Sequence, residues 1–325
     1  MAEVVTITCN PSVDVSFAVE RLIDTTKLRC SQPRKDAGGG GINVARVLQR
    51  LGSECLSIHL AGGRTAADLN ALLDAERVPY KCISIANETR ENVTVLETAT
   101  CREFRFIMPG PDVMESEWRG CLQYLDALDP QPRYLVVSGS LPPGIPHDFY
   151  ARIARWALTN NVRMVLDASG DALAAALEVG VFLVKPSLDE LRELTGMPLE
   201  EPSDWCDAAW RLVRRRRARN VALTLGGRGA LLATEDRVVS LPAVAVSVVS
   251  AVGAGDSFLA AMVWSLDHNA HTEEALRYAV AAGCAAVLRP GTALCDSADL
   301  IHLYRESLRV SPSCEVWRAP ASEKR

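Results

Sequence analysis

The sequence lacks the marks of export and of a membrane span. It opens MAEVVTITCN, with neither a basic n-region nor a long apolar h-region, so no secretory leader is expected. The most apolar long window, residues 243–266, carries Asp256 near its centre. A charge there costs about 2.5–3.5 kcal/mol on insertion scales, so the window reads as a buried strand, a turn and a core helix rather than a span. The ten cysteines fall singly from Cys9 to Cys314 without a CxxC pair, so no zinc spacing is present. They read as reduced thiols, mostly small core residues, in a cytoplasmic protein. Excess positive charge is missing too: the net charge of −5 gives no global attraction to nucleic acid, though it leaves room for a local basic pocket. The four arginines at 214–217 read as a solvated helix end rather than a nucleic-acid patch. Two phosphate-binding signatures are also missing. There is no GxxxxGK[ST] loop. The turn after the first predicted strand reads NPSVD, not a Rossmann glycine fingerprint, which disfavours a nicotinamide dehydrogenase. Nucleotide binding must therefore use a different geometry.

What is present fits a globular α/β protein. The chain has 325 residues, 48% apolar and 23% charged, enough for one large domain with an insertion or for two modest ones. A β-rich run at 3–9 (EVVTITC) starts it, and INVARVLQRL at 42–51 has helical spacing with Gly52 as a stop. The runs YLVV (134–137), MVL (164–166), VFLV (181–184) and VALTL (221–225) read as buried parallel strands, separated by helical stretches such as 147–160 and 204–217. This rhythm predicts a parallel sheet covered by helices on both faces. Residues 13–36 and 92–108 break it: both are strand-like without a helix, and together they predict a small antiparallel sheet projecting as a lid. Residues 311–325 read as a loose tail after a domain spanning 1–310.

Two glycine-rich segments carry the chemistry. In Val252-Gly253-Ala254-Gly255-Asp256-Ser257, small residues lead into a helix striped with Phe258, Leu259, Met262, Val263 and Leu266. Backbone N–H groups at such a helix start form an anion hole, and Asp256 beside it is placed to take a proton from a hydroxyl. Asp256 as a plain helix N-cap is the alternative. In Gly38-Gly39-Gly40-Gly41-Ile42-Asn43, the glycines allow positive φ and close ligand approach before a helix, and Asn43 can both donate to and accept from sugar hydroxyls. A flexible linker is the competing reading.

These blocks do not stand alone. NPSVD, KLRC, GGGGINVAR, TREN, FIMPG, SGSLPPG, LVKP, LGGRGA, VGAGDS and GTALC follow one another over residues 3–309. In that order the chain resembles the ribokinase-like (PfkB) carbohydrate kinases, and within them the phosphosugar branch of minor-type 6-phosphofructokinases. The resemblance implies a three-layer α/β/α sandwich and ATP-dependent phosphorylation of a sugar phosphate. Fructose 6-phosphate, giving fructose 1,6-bisphosphate, is the first choice; fructose 1-phosphate and tagatose 6-phosphate are close rivals, and a non-catalytic sugar-phosphate sensor is a different class of alternative.

The resemblance also implies roles. Asp256 is the base, with Gly253, Ala254 and Gly255 forming the anion hole. Asp14, Gly39, Asn43, Arg90, Ser140 and Arg29 meet the sugar phosphate. Lys27, Lys185, Ser187, Thr224, Gly226 and Gly229 meet ATP. Lys27 and Arg29, in KLRC, are placed on the lid sheet, where they would serve a neighbouring subunit; for them and for Arg90 an exposed charge is the bland alternative. Glu190 positions Mg²⁺ through water, with Ser187 standing where the family has Asn and Asp189 beside it. Ser250, Val252, Ala286, Arg289, Gly291 and Ala293 match a K⁺ site built mostly from carbonyls. Apolar lid positions Val93, Val95, Phe104 and Phe106 predict a homodimer or larger even oligomer through that sheet. No nucleic acid or membrane partner is expected.

Overall fold

The computed structural model describes residues 3–24, 27–310 and 312–315, without the side chains of 313–315. In chain order the first half holds β1 (Val4–Thr8), β2 (Ser12–Val19), β3 (Arg34–Gly38), α1 (Gly40–Arg50), β4 (Cys55–Ala61), α2 (Gly63–Ala75), β5 (Tyr80–Ser84), β6 (Arg90–Glu97), β7 (Arg102–Phe106), α3 (Glu115–Asp126), β8 (Tyr134–Ser138) and α4 (Phe149–Thr159). The second half holds β9 (Arg163–Asp167), α5 (Gly170–Val179), β10 (Val181–Val184), α6 (Leu188–Thr195), α7 (Pro202–Arg214), β11 (Ala218–Thr224), β12 (Ala230–Ala233), β13 (Val238–Leu241), α8 (Ala254–Asp267), α9 (Thr272–Ala286), α10 (Ser297–Ser307) and β14 (Ser313–Glu315).

The main sheet runs β14-β13-β12-β11-β10-β9-β8-β1-β4-β5. From β5 to β11 every pairing is parallel; β11 to β14 pair antiparallel. Two apolar clusters lie on its opposite faces. One gathers α3, α4, α5, α6 and α7 around Trp118, Phe149, Leu173, Leu191 and Trp210. The other gathers α1, α2, α8, α9 and α10 around Ile42, Leu69, Met262, Leu276 and Leu303. The layers are thus helix, sheet, helix, as the βα rhythm predicts. The cysteines fit the same picture: Cys9, Cys55, Cys121, Cys206, Cys284 and Cys295 are buried and form no disulfide with one another. No helix of the described residues is long and apolar enough to cross a membrane.

Four expectations need correcting. The small sheet, ordered β3-β2-β6-β7, is mixed rather than antiparallel, because β2 and β6 run parallel. These two strands are contributed by remote segments, so a hairpin reading of each segment alone cannot reveal their direction. Residues 20–24 and 27–33 form no strand, so Lys27 and Arg29 lie in an exposed coil and not on the sheet; residues 25 and 26 are outside the described residues. The predicted strand in 243–249 joins no sheet among the described residues, and Val248 and Val249 are exposed. Its Val-Ala alternation reflects a segment lying half against the second cluster, through Ala243, Val244 and Val246. Finally, part of the supposed tail joins β13 as the edge strand β14; residues 311 and 316–325 are outside the described residues.

Candidate active site

The C-terminal ends of the parallel strands share one edge, where ligands of open α/β sheets bind. There β1 leads to Asn10 and Pro11, β8 ends at Ser138, β9 at Asp167 and β11 at Thr224, and Lys185 follows β10. The small sheet stands over this edge. Its register puts Asp14 opposite Asn92 and Thr94 opposite Arg105, on the face turned to the main sheet, while Val15, Val93, Phe104 and Phe106 take the other face. The cavity between the two, about 330 Å³, is lined by Asp14, Gly39, Asn43, Arg90, Ser140, Glu190, Val252, Gly253 and Asp256. These nine are the lining residues that the sequence reading names for the site. A larger cavity of about 750 Å³, at the opposite ends of β9, β10 and β11, is lined by four arginines and a single carboxylate, Glu235, and contains none of the site residues expected from the sequence. The expected site residues gather at the C-terminal edge.

Asp256 sits in the first turn of α8, which Gly253 enters in a left-handed conformation at φ 74°. A side chain at Gly253 would also run into Leu294, so glycine is required twice over. The N–H groups of residues 254–256 have no intrahelical partner and face the open end of the helix, where the dipole favours an anion. Asp256 caps nothing. Its Oδ2 instead accepts from Asn43 Nδ2 at 2.9 Å. Burial, then the charge of Asp167, pushes its pKa from 3.8 to about 6, while the Asn43 amide and Lys185 pull it back. A carboxyl raised into this range beside an open helix N-terminus has the chemistry a general base requires.

Lys185 forms an ion pair with Asp167 at 3.0 Å. Burial disfavours its ammonium, but Asp167, Glu190 and Asp256 together outweigh that and raise its pKa. It lies close to Gly255, where an added Cβ would stand 3.6 Å from Nζ. Thr224 and Ser187 meet in a bridge beside it, joining the ends of β10 and β11. Ser187 and Glu190 form a capping box: Ser187 Oγ accepts from Glu190 N, and Glu190 Oε2 accepts from Ser187 N at 2.7 Å. The SLDE segment thus has a structural job that its comparison with an Asn-containing motif concealed. Gly226 adopts φ 59° in open space, whereas Gly229 is required because a side chain would strike Leu241 and Ala243.

The four glycines act differently from expectation. Only Gly39 has positive φ, 115°; a Cβ on Gly38 would lie 2.5 Å from Asp14 Oδ2, and one on Gly41 2.5 Å from Ile7 O. They let the loop close onto the protein itself, against Asp14, Ser138 and Ile7. Arg90 is no loose surface charge. Its guanidinium donates to the carbonyls of Asn10, Pro11 and Met108, clamping the first turn to the FIMPG segment. Asp14 Oδ1 accepts from Ser12 Oγ at 2.7 Å and Asn92 Nδ2 at 3.0 Å, and Ser140 Oγ from Asn10 Nδ2 at 3.1 Å.

The cavity also contains Arg105, Asn92, Asp167, Ser138 and Thr292, which the sequence reading missed. Two had signals: Asp167 ends a buried parallel strand, and Arg105 alternates with Phe104 and Phe106 in β7. Lys27, Arg29, Ala254, Gly255, Lys185, Ser187, Thr224, Gly226 and Gly229 are not among the lining residues. Of the positions matched to a K⁺ site, Val252 alone lines the cavity. The Ala293 carbonyl accepts from Arg50 at 2.6 Å, Ser250 Oγ donates to Glu103 Oε2 at 3.0 Å, and the Arg289 side chain pairs with Asp299. Gly291 sits near Ser16, and the Ala286 carbonyl accepts from Arg289 N. These donors fit a monovalent cation only in part. Among the described residues no cluster of three or more His, Cys, Asp or Glu side chains could hold a metal.

The fold agrees with comparison to known proteins. Over 317 residues the chain is 39% identical to the ATP-dependent 6-phosphofructokinase isozyme 2 of Mycobacterium tuberculosis, covering 97% of this chain and 93% of that protein. It is 32% identical over 280 residues to the 1-phosphofructokinase of Bacillus subtilis, covering 86% and 91%. The fold is similar to that of phosphofructokinase-2 from Escherichia coli, crystallised in complex with potassium, with a TM-score of 0.91, 37% identity and coverage of 95% and 100%. A model of the pfkB carbohydrate kinases matches residues 1–299, and the chain belongs to that family.

Proposed function

We propose that the protein transfers the γ-phosphoryl group of MgATP to fructose 6-phosphate, forming fructose 1,6-bisphosphate and ADP. One observation carries this reading: Asp256, raised to about 6, stands at an open helix N-terminus in a cavity shared with Asp14, Asn43 and two arginines. Asp14 and Asn43 hold the sugar hydroxyls, with Gly39 and Ser140 at the cavity wall. Asp256 takes the proton of the C1 hydroxyl as its oxygen attacks the γ-phosphorus. The bond to the bridging oxygen breaks, and the amides of 253–256 receive the charge on the transferring group. Arg105 has no carboxylate partner among the described residues and suits the substrate's own phosphate better than Arg90, whose donors already hold backbone.

ATP is placed along the ends of β10 and β11, with Lys185 at its phosphates and Thr224, Gly226 and Gly229 beneath its adenosine. Mg²⁺ enters with ATP and offsets phosphate charge. Asp167 and Glu190 are the carboxylates that fit it, and a site with few protein ligands suits an ion that keeps water and phosphate oxygens around it. Lys27 and Arg29 reach a neighbouring subunit's site in a dimer built through the outer face of the small sheet. That face holds half-buried Phe104 and exposed Phe106; Val95, expected to be exposed, is only 5% exposed because Phe17 and Phe104 flank it.

A second reading, phosphorylation of fructose 1-phosphate, is favoured by the Bacillus relative. Coupled ADP release on fructose 6-phosphate, fructose 1-phosphate, tagatose 6-phosphate and free fructose separates the two. It also separates both from a sensor, which would bind these sugars without turnover.

A further inference from the structure

We propose that Arg46 is a positioning residue for this site, holding the Asn43 amide in the one orientation that donates to Asp256. The inference rests on the kinase reading. Arg46 lies on α1 one turn after Asn43 and is 1% exposed, the largest of the fully buried side chains. Its Nη1 donates to Asn43 Oδ1 at 3.2 Å, to the Ala37 carbonyl at 2.8 Å and to the Thr292 carbonyl at 3.3 Å. Its Nε donates to Glu76 Oε1 at 2.9 Å, and Nη2 lies 3.7 Å from Asp36 Oδ1.

The two ends of an Asn amide have nearly the same shape, so packing alone does not orient it. Here the two ends face opposite charges. With Oδ1 toward the guanidinium, Nδ2 faces the Asp256 carboxylate, and both contacts are attractive. Flipped, the carbonyl would face a carboxylate and the NH₂ a cation. Asp256 enforces this choice only while it is ionised. The Arg46 guanidinium is buried and held by Ala37, Thr292 and Glu76 independently of Asp256, so it keeps Nδ2 in place through the proton transfer.

Charge balance alone would not need a guanidinium. A lysine would neutralise Glu76 as well, but it has no planar fork to reach several walls at once. The same Arg46 group ties β3, at the root of the lid, and Thr292, on the cavity wall, to the helix that carries Asn43. The groups that set the Asp256 charge are Asp167 at the end of β9, Asn43 on α1, Lys185 after β10 and Asp14 on β2. Arg46 acts only through Asn43.

The test is the pH profile of kcat/KM for Arg46→Lys, with folding checked by circular dichroism. The acidic limb should move to higher pH by about one unit, the worth of one lost hydrogen bond to a charged acceptor. The kcat value should fall roughly ten- to a hundredfold. On an Asn43→Ala background the same substitution should leave the limb where Asn43→Ala alone puts it. An unmoved limb in folded Arg46→Lys, or shifts that add in the double variant, overturns the inference while the kinase reading stands. If Arg46→Lys does not fold, Arg46→Met with Glu76→Gln removes the buried guanidinium together with its half-buried carboxylate partner and carries the same test. If the wild type turns over no sugar, the kinase reading fails. The Asp256 carboxyl, followed by carbon-13 NMR in the substrate-free protein, then decides Arg46 alone: its titration moves up in the variant or the inference falls.

Discussion

Replacing Asp256 with Asn should make the protein more stable and nearly inactive at once. The pKa of Asp256 rises from 3.8 to about 6 on folding, chiefly through burial and the nearby Asp167 charge. A carboxyl raised in the native state costs stability wherever it is ionised. Below the unfolded value of 3.8 the native and unfolded chains are both protonated there, and the cost is absent; it grows through the window up to about 6 and is constant above it. A rise of about two pH units at 1.36 kcal/mol each sets a ceiling of about 3 kcal/mol. Asp256 is only half-buried, so water screens part of that, and about 1–2 kcal/mol is the expected gain. The Asn side chain keeps an oxygen for the Asn43 amide, so no donor is orphaned. Urea unfolding at pH 4, 5, 6, 7 and 8 reads the effect: the midpoint of Asp256→Asn should pull ahead of wild type as pH rises to about 7 and then hold level. Meanwhile kcat should drop by roughly 10²–10⁴. A variant equally stable at every pH, or one less stable at pH 8, refutes the electrostatic account of this site. A variant keeping more than about a third of wild-type kcat removes Asp256 from the role of base.

Two further outcomes follow from the small sheet. Arg105→Ala should raise KM for the phosphosugar by roughly ten- to a hundredfold, the loss of a charge-assisted contact, with kcat changed far less; an unchanged KM in steady-state kinetics would pass the phosphate role back to Arg90. Phe104→Asp with Phe106→Asp should give monomers of sharply reduced activity by light scattering. A wild type that is fully active as a monomer at assay concentration would end the dimer reading.

How far the site could be read from sequence depended on whether its geometry is local. Gly253 to Asp256 is a turn-and-helix start whose meaning is set by adjacent residues, and Asp256 stands where that pattern puts it. Asp14, Asn43 and Arg90 likewise reached the cavity from segments whose order matched a family. The parallel β2–β6 pairing was hidden because it joins residues nearly eighty apart, such as Asp14 and Asn92. β4 was hidden for another reason: Ser57 and His59 are buried within it, so it does not read as an apolar run. Burial lowers the His59 pKa to about 4. Asp167 and Arg105 carry no motif, and their roles appear only when the strand ends and the lid face are brought together. The glycine run was read as ligand-facing because a sequence does not show that Asp14 and Ile7 lie within a methyl group's reach of it.

Phosphorus-31 NMR of the wild-type protein with MgATP and fructose 6-phosphate tests the central claim most directly. A new phosphomonoester at C1 should appear in step with ADP, at equal amounts and without free phosphate, and both signals should vanish with Asp256→Asn. Release of inorganic phosphate in place of a second sugar phosphate, or unaltered product formation by Asp256→Asn, would contradict phosphoryl transfer through this site.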